Sequence, residues 1–232
     1  MFTDIEGFTD LTEEMGDKLA AELRSQHDKI LTDIIQENDS GLVIKYIGDA
    51  IMAVFAEPSA AIAKSVQIQN SIARFNLKDN GLPAIKIRIG LHMGQVTIED
   101  NVELDIFGRH VNRAARIESL AQGGQILMSY SVFDSAQGWV VAQKNLGYKQ
   151  HGLYELKGIE GPVQIFEVFD PKLTKPQTPT KGKIKEGSYK KTATMATISA
   201  FFAMSLLLMF QWYKDVELRL GDFSSTKYET CR

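Results

Sequence analysis

The chain has a single cysteine in 232 residues, and this residue, Cys231, stands next to the C-terminus. One cysteine excludes an internal disulfide framework and a metal site built from several cysteines. It is compatible with a reducing compartment without proving one. A strong charge of either sign is also missing, because 26 basic and 29 acidic residues leave a net charge of −3. This balance argues against a protein that binds nucleic acid through bulk positive charge.

A secretory signal is not predicted either, because charge begins at Asp4 and no long apolar stretch follows it. The composition, 44% hydrophobic and 24% charged, is ordinary for a globular protein. The length allows one domain of about 150–200 residues with additional segments. Met1–Ile5 has the character of the last part of a strand, and we expect the full strand to begin upstream.

Two apolar runs flank the pair Gly48-Asp49 within Val43–Phe55, which reads VIKYIGDAIMAVF. Such runs around a Gly-Asp pair predict a tight β-hairpin with Asp49 at its tip. An acid at the tip of a buried hairpin costs free energy unless a positive group lies beside it. For an isolated hairpin, a solvated turn aspartate is the common alternative. Asp4 is a second acid in a similar context, since it lies near the end of a short strand before a glycine turn.

The rest of the first 170 residues alternates between helical and extended patterns. Apolar spacing predicts helices over Leu11–Asn38, Ser59–Phe75, His110–Ala121 and Ser129–Ser135. Further strands are predicted over Ile85–Leu91, with Gln95–Ile98 as its hairpin partner, and over Gln125–Met128, Gly152–Leu156 and Val163–Phe169. This order predicts an α+β sandwich, with one mainly antiparallel sheet and helices on one face.

The composition changes after residue 170. Residues 171–191 contain seven lysines, one glutamate and three prolines, and they predict an extended basic linker. Thr192–Tyr213 contains no Asp, Glu, Lys or Arg and is long enough for a single transmembrane helix. Because the lysines precede this span, we expect a single-pass protein of the inner or plasma membrane, with the first domain cytoplasmic. Residues 214–232 would form a short extracytoplasmic tail.

Asp4 and Asp49 would converge at one sheet edge if the first strand and the hairpin were neighbours. Two carboxylates without histidine or cysteine suit a hard cation such as Mg²⁺, which keeps waters and shares its shell with a phosphate. For Asp4 alone, a helix-capping acid is the alternative interpretation.

Several motifs resemble those of class III nucleotidyl cyclases of the membrane-anchored bacterial type. They are FTDIEGFT at residues 2–9, KYIGD at 45–49, LDIFGRHVNRAARIE at 104–118 and LKG at 156–158. The similarity extends from residue 1 to about 169. It implies the cyclase version of the ferredoxin-like α+β sandwich, and it implies that Asp4 and Asp49, with the backbone carbonyl of Ile5, hold two Mg²⁺ or Mn²⁺ ions in each active site.

The resemblance also implies roles for five other residues. Asn112 matches the asparagine that orients the ribose, and Arg116 matches the arginine that stabilises charge on the α-phosphate. Lys157 resembles the lysine that meets the terminal phosphates. Lys45 and Asp105 match the pair that reads adenine, which presents one acceptor and one donor on its Watson–Crick edge. Guanine presents the reverse pattern, so this pair favours ATP over GTP.

The function that this resemblance implies is an adenylate cyclase. Lys45 and Asp49 belong to different active sites in this family, so a chain that carries both sets of residues is expected to work as a homodimer with two shared sites. The alternatives are a guanylate cyclase or a catalytically weak, cyclase-like dimerisation or signalling module. A diguanylate cyclase relative is disfavoured, because its Gly-Gly-Asp/Glu-Glu-Phe signature is absent.

Overall fold

Residues 1–100, 104–179 and 182 are described by the structure, which is a computed structural model. The strands are β1 (Phe2–Ile5), β2 (Gly41–Ile47), β3 (Ala50–Phe55), β4 (Ile87–Leu91), β5 (Thr97–Asp100), β6 (Leu104–Phe107), β7 (Ile126–Ser129), β8 (Gly147–Tyr154) and β9 (Val163–Phe169). The helices are α1 (Phe8–Met15), α2 (Asp17–Gln36), α3 (Pro58–Asn76), α4 (Arg109–Glu118) and α5 (Tyr130–Ala142).

Seven of these strands form one sheet in the order β2-β3-β1-β4-β7-β9-β8. Every neighbouring pair is antiparallel except β4 and β7, which run parallel. The predicted α+β architecture with a mainly antiparallel sheet is therefore confirmed. The short strand β1 lies between β3 and β4, so the acid near its end is surrounded by strands on both sides.

The two faces of the sheet are covered differently. Alternate residues of β1, β3 and β4, such as Ile5, Ile51 and Ile89, pack into the main core with α2, α3 and α5. The other face carries α4, where Phe2 and Met52 pack in a separate cluster. The prediction that all helices lie on one face of the sheet is wrong. The sequence pattern of α4 shows which side of the helix is apolar, but not which face of the sheet that side packs against.

Helix α4 approaches the sheet at a glycine. A Cβ atom placed on Gly90 of β4 would lie 2.2 Å from the backbone nitrogen of Glu118. Because only glycine lets the end of α4 come this close, Gly90 fixes the helix against the middle of the sheet.

The predicted hairpin is confirmed, since β2 and β3 pair from Gly41 opposite Phe55 to Ile47 opposite Ala50. Gly48, the first turn residue, has a φ of 66°, whereas Asp49 does not have a positive φ. This is the pattern of a type II′ turn, which matches the twist of the strands beside it.

The predicted helix over Leu11–Asn38 is in fact two helices. α1 ends at Met15, and α2 begins at Asp17 after Gly16, whose φ of 80° is outside the helical region. The apolar spacing continues across the break, which is why the periodicity did not reveal it. Glycine permits this conformation without the steric cost that other residues would have.

The predicted pairing of Gln95–Ile98 with the strand before it is also wrong. β5 instead pairs with β6 as a separate two-stranded ribbon, in which Glu99 lies opposite Asp105. This ribbon leads directly into α4 and places Asp105 above the hairpin strand β2.

The membrane prediction falls on residues that the structure does not describe. The span 192–213, the tail 214–232 and most of the predicted linker lie outside the described residues. Within the described part of the chain, no helix is both long and apolar enough to cross a bilayer.

Candidate active site

Asp4 and Asp49 lie close together at one end of the central strands, where β1 ends and β3 begins. We call this group of Asp4, Ile5 and Asp49 the metal edge. The backbone amide of Ile5 donates a hydrogen bond to Oδ2 of Asp49 at 3.1 Å, so the hairpin tip is joined to the residue that follows Asp4. The side chain of Asp4 is 16% exposed, and Asp49 is half-buried. The predicted convergence of the two acids is confirmed, and their role as metal ligands stays a prediction.

The donors at this edge fit a hard divalent cation. Within the described residues, no cluster of three or more His, Cys, Asp or Glu side chains could hold a metal alone. Two carboxylates and the Ile5 carbonyl supply only oxygen, which Mg²⁺ and Mn²⁺ prefer. Such a small set suits an ion that completes its shell with water and substrate phosphate. Asp4, Ile5 and Asp49 are the residues that would hold it.

Arg88 lies beside this edge, and the sequence reasoning missed it. Arg88 is opposite Asp4 in the β1–β4 register, and its Nη2 donates to Oδ2 of Asp4. Its Nε lies 3.2 Å from Oε1 of Glu118, an ion-pair contact without hydrogen-bond geometry. Arg88 therefore links the acid on β1 to the end of α4.

Glu118 is the second residue that the sequence reasoning missed. Burial raises the pKa of this carboxyl group to about 7, Arg88 opposes the shift, and Asp49 adds to it. The alternation of Ile85–Leu91 shows that Arg88 points away from the core, but not which strand lies beside it. Only the pairing of β1 with β4 reveals the contact.

Lys45 and Asp105 form an ion pair in the same chain. Nζ of Lys45 donates to Oδ2 of Asp105, and the Ile106 amide donates to Oδ1 of Asp105 at 2.8 Å. The hydrogen bond from Lys45 lowers the pKa of Asp105. A register shift in β2 between Val43 and Lys45 lies just before the lysine, and such bulges re-aim side chains. The structure thus brings together the two residues that were predicted to read the base.

An apolar cavity of about 480 Å³ lies next to this pair. Phe2, Met52, Ile106 and Ala114 line part of it. Met52 is opposite Lys45 in the β2–β3 register, so the cavity wall and the lysine share one face of the sheet. A flat ring with an apolar face and a polar edge could place its face against the apolar cavity wall and its edge against Lys45 and Asp105.

Asn112 and Arg116 lie one turn apart on the exposed side of α4. The opposite side of the helix is buried through Ala114 and Ile117. Among the described residues, neither the Asn112 nor the Arg116 side chain forms a hydrogen bond or an ion pair. The structure therefore does not join these two residues to Asp4 or Asp49 within one chain.

Lys157 lies on the exposed turn between β8 and β9. Gly158, which follows it, has a φ of 75°, a conformation that the turn requires and glycine permits. No ion pair to Lys157 occurs within the described residues. Its predicted contact with terminal phosphates stays a prediction.

Comparison with known proteins identifies the family. The family described as "Adenylate and Guanylate cyclase catalytic domain" matches residues 1–169. An uncharacterized protein of Mycobacterium tuberculosis is 31% identical over 181 residues, which is 77% of this chain and 43% of that protein. The chain therefore spans less than half the length of this relative.

Two solved structures are similar in fold. One, from a structural analysis of adenylate cyclases of Trypanosoma brucei in their monomeric state, has a TM-score of 0.65 at 24% identity and covers 78% of this chain and 92% of that one. The other is the guanylate cyclase domain of RhGC from Catenaria anguillulae in complex with GTP, with a TM-score of 0.61 at 23% identity and coverage of 73% and 93%. At these identities the likeness concerns the fold, and one of the two proteins is named an adenylate cyclase and the other a guanylate cyclase.

Proposed function

The chain belongs to the family of adenylate and guanylate cyclase catalytic domains, and from this premise we propose that it is an adenylate cyclase that converts ATP into 3′,5′-cyclic AMP and pyrophosphate. The observation that carries the choice of ATP is the ion pair between Lys45 and Asp105 beside the apolar cavity.

The reaction forms a bond between the ribose O3′ and the α-phosphorus, and it breaks the bond between the α-phosphorus and the departing pyrophosphate. Two Mg²⁺ or Mn²⁺ ions, when bound, would lower the pKa of the 3′-hydroxyl and neutralise the triphosphate. Asp4, Asp49 and the Ile5 carbonyl would hold these ions, and Arg88 keeps the Asp4 carboxylate in place between β1 and β4.

The transition state gains charge on the α-phosphate, and the exposed residues of α4 are suited to it. Arg116 donates to the α-phosphate oxygens, where a fixed donor is worth more in the transition state than in the ground state. Asn112 orients the ribose, and Lys157 binds the terminal phosphates.

Base selection follows from the polar pair. Lys45 donates to N1 of adenine, and Asp105 accepts from the 6-amino group. Guanine would place a donor against the lysine and an acceptor against the carboxylate, which leaves buried polar groups unpaired. Phe107, whose ring centre lies 5.5 Å from Nζ of Lys45, adds an aromatic surface beside this pair.

Two chains are required for a complete site in this proposal. Asn112 and Arg116 face solvent without partners among the described residues, whereas Asp4 and Asp49 are held within the chain. A two-fold homodimer would place α4 of one chain against the metal edge of the other and form two equivalent sites. We further propose that residues 192–213 anchor this dimer in the inner or plasma membrane, with the catalytic domain on the cytoplasmic side.

The proposal is tested with the full chain in detergent or nanodiscs. Purified protein is incubated with ATP or GTP in the presence of Mg²⁺ or Mn²⁺, and the products are separated by chromatography. We expect cyclic AMP as the main product. Cyclic GMP as the main product would overturn the base assignment in favour of a guanylate cyclase.

A matched variant controls for contaminating cyclases. Asp49→Asn keeps a side-chain oxygen that can accept the Ile5 amide hydrogen bond but removes the charge that a cation needs. Cyclic AMP formation that is lost with this single substitution is made by the purified chain and not by a contaminating cyclase. Wild-type protein that forms neither product would support the alternative of a weak dimerisation or signalling module.

A further inference from the structure

The segment Asp170–Pro179, which we call the strap, lies at the end of the sheet formed by β7, β9 and β8. α4 packs mainly on β4, β1 and β7, and the buried cluster around its Ile117 extends to Ile165 of β9 and Tyr154 of β8. The strap follows β9 and is fixed by three side-chain hydrogen bonds: Gln125 Nε2 to the Gln177 carbonyl (2.7 Å), Lys149 Nζ to Thr178 Oγ1 (3.4 Å) and the Tyr154 hydroxyl to the Pro179 carbonyl (2.9 Å).

These contacts place the strap over three strands. Gln125 precedes β7, and Lys149 and Tyr154 belong to β8, while β9 lies between these two strands. The first residues of the predicted basic linker are therefore docked on the domain. Composition could not predict this, because the strap binds mainly through its backbone carbonyl groups, which every sequence has.

A buried polar pair lies beneath the strap. Nε2 of His151 is 2.7 Å from Oε2 of Glu167, and both side chains are 0% exposed. Glu167 is opposite Lys149, the residue that contacts the strap. His151 Nδ1 and Glu167 Oε1 have no hydrogen-bond partner within the described residues.

The two unpartnered atoms lower the stability of the docked strap. A buried polar atom without a partner costs free energy, and that cost disappears when water reaches it. If water reached both atoms on release of the strap, it would partly offset the three hydrogen bonds lost.

The strap ends beside the turn that carries Lys157. Tyr154, which donates to the strap, is the last residue of β8 and precedes Lys157 by three residues. The next amide, that of Glu155, donates to the Gly182 carbonyl at 2.8 Å. The residues at the start of this turn are therefore hydrogen-bonded to two later residues of the chain, Pro179 and Gly182.

We propose that the strap positions the Lys157 turn, so that its release weakens the binding of the terminal phosphates of ATP. This regulatory role rests on the proposed function. It makes Tyr154 a positioning residue, because it acts on substrate through the turn. The strap is followed by the rest of the predicted linker and by the predicted membrane span. A partner that bound to those residues and displaced the strap would therefore change the position of Lys157.

Hydrogen–deuterium exchange of the full chain tests the structural half of the proposal. Tyr154→Phe removes one hydroxyl from a buried ring and retains its shape. We expect exchange to rise about fivefold in residues 170–179 and in the turn 155–161, the effect of one lost hydrogen bond. The matched control is Tyr148→Phe on the same strand, where the side chain is 49% exposed and its hydroxyl has no hydrogen bond to a described residue. This control should leave both stretches unchanged.

Kinetics test the functional half. In Tyr154→Phe we expect KM for ATP to rise about fivefold with kcat changed less than about twofold, since the turn contacts the terminal phosphates alike in bound ATP and in the departing pyrophosphate. Faster exchange in 170–179 with an unchanged turn would overturn the proposal, as would an unchanged KM in an active enzyme. If the wild-type chain forms no cyclic nucleotide, the proposed function fails, and the exchange data still decide whether the strap holds the turn.

Discussion

The metal edge and the outer side of α4 differ in how their charged residues are held. At the metal edge, Asp4 is paired with Arg88, and Arg88 also contacts Glu118. On the outer side of α4, Arg116 has no such partner among the described residues. One half of the candidate site is thus organised within a single chain, and the other half is presented outwards. This is the difference that the proposed shared site requires, with the second half completing a site on another chain.

The largest effect on activity should come from removing the charge of one acid at the metal edge while the fold is kept. Asp49→Asn is expected to reduce kcat on the order of 10³-fold, because the charge that would bind the cation is lost. The melting temperature should change little, since the amide oxygen can still accept from Ile5. Initial rates and thermal melts of the same preparation check this. A variant with normal kcat would exclude Asp49 as a metal ligand.

Removing the exposed arginine should separate activity from stability. Arg116→Ala is expected to reduce kcat by about 10²-fold, the effect of losing one donor to a developing charge. Its free energy of unfolding should stay within about 0.5 kcal/mol of wild type, because Arg116 has no partner among the described residues. Denaturant unfolding and steady-state rates measure the two quantities. A large loss of stability would mean that Arg116 has a structural role.

Removing the half-buried Arg88 should mainly reduce stability. Arg88→Met leaves the Asp4 and Glu118 carboxylates without their shared cation, so we expect a loss of stability on the order of 2 kcal/mol. Adding Glu118→Gln should recover part of this loss at pH values above the pKa of Glu118, where the buried carboxyl group would otherwise ionise without its cation. If the double variant is as unstable as the sum of the two single variants, Arg88 and Glu118 do not interact.

The last prediction concerns the contact between the segment after β4 and the first turn of α4. His92 on the segment after β4 contacts His110 of α4 at 2.9 Å, and its other ring nitrogen lies 2.7 Å from Oγ of Ser129. Burial lowers the pKa of His92 to about 4 from an ordinary value of 6.5, and Arg113 and His110 add to the shift. The unfolded chain therefore binds more protons between these pH values, so this contribution to stability is present above pH 6.5 and is lost as pH falls toward 4.

His92→Asn should therefore flatten the pH dependence of stability. Between pH 6.5 and about 4, wild type should lose on the order of 2 kcal/mol more than the variant. Denaturant midpoints across this range measure the difference. Equal slopes for the two proteins would show that His92 titrates normally in the folded state.

Sequence reasoning found the residues whose neighbours are close in the chain. Asp49 was found because two apolar runs isolate it at a turn, and Asp4 because it lies near the end of a short strand. Lys45 and Asp105 lie 60 residues apart, and only the family resemblance related them. Their contact depends on the β5–β6 ribbon, which the pattern did not predict.

The contacts that were missed depend on pairing between distant strands. Arg88 meets Asp4 because β1 lies beside β4, and no local period in either segment contains that information. The break at Gly16 was missed for a different reason, since helical spacing of the apolar residues continues on both sides of it. The strap was missed because its carbonyl groups carry the interaction.

The most direct test of a site shared between two chains is complementation. Full-length Asp49→Ala and Arg116→Ala chains, each inactive alone, are mixed under conditions that allow subunit exchange, and cyclic AMP formation is measured. A heterodimer would contain one intact site and one doubly defective site. A random mixture should therefore regain about a quarter of wild-type activity per chain. A mixture no more active than the sum of its two components would contradict the shared site and place all catalytic residues within one chain.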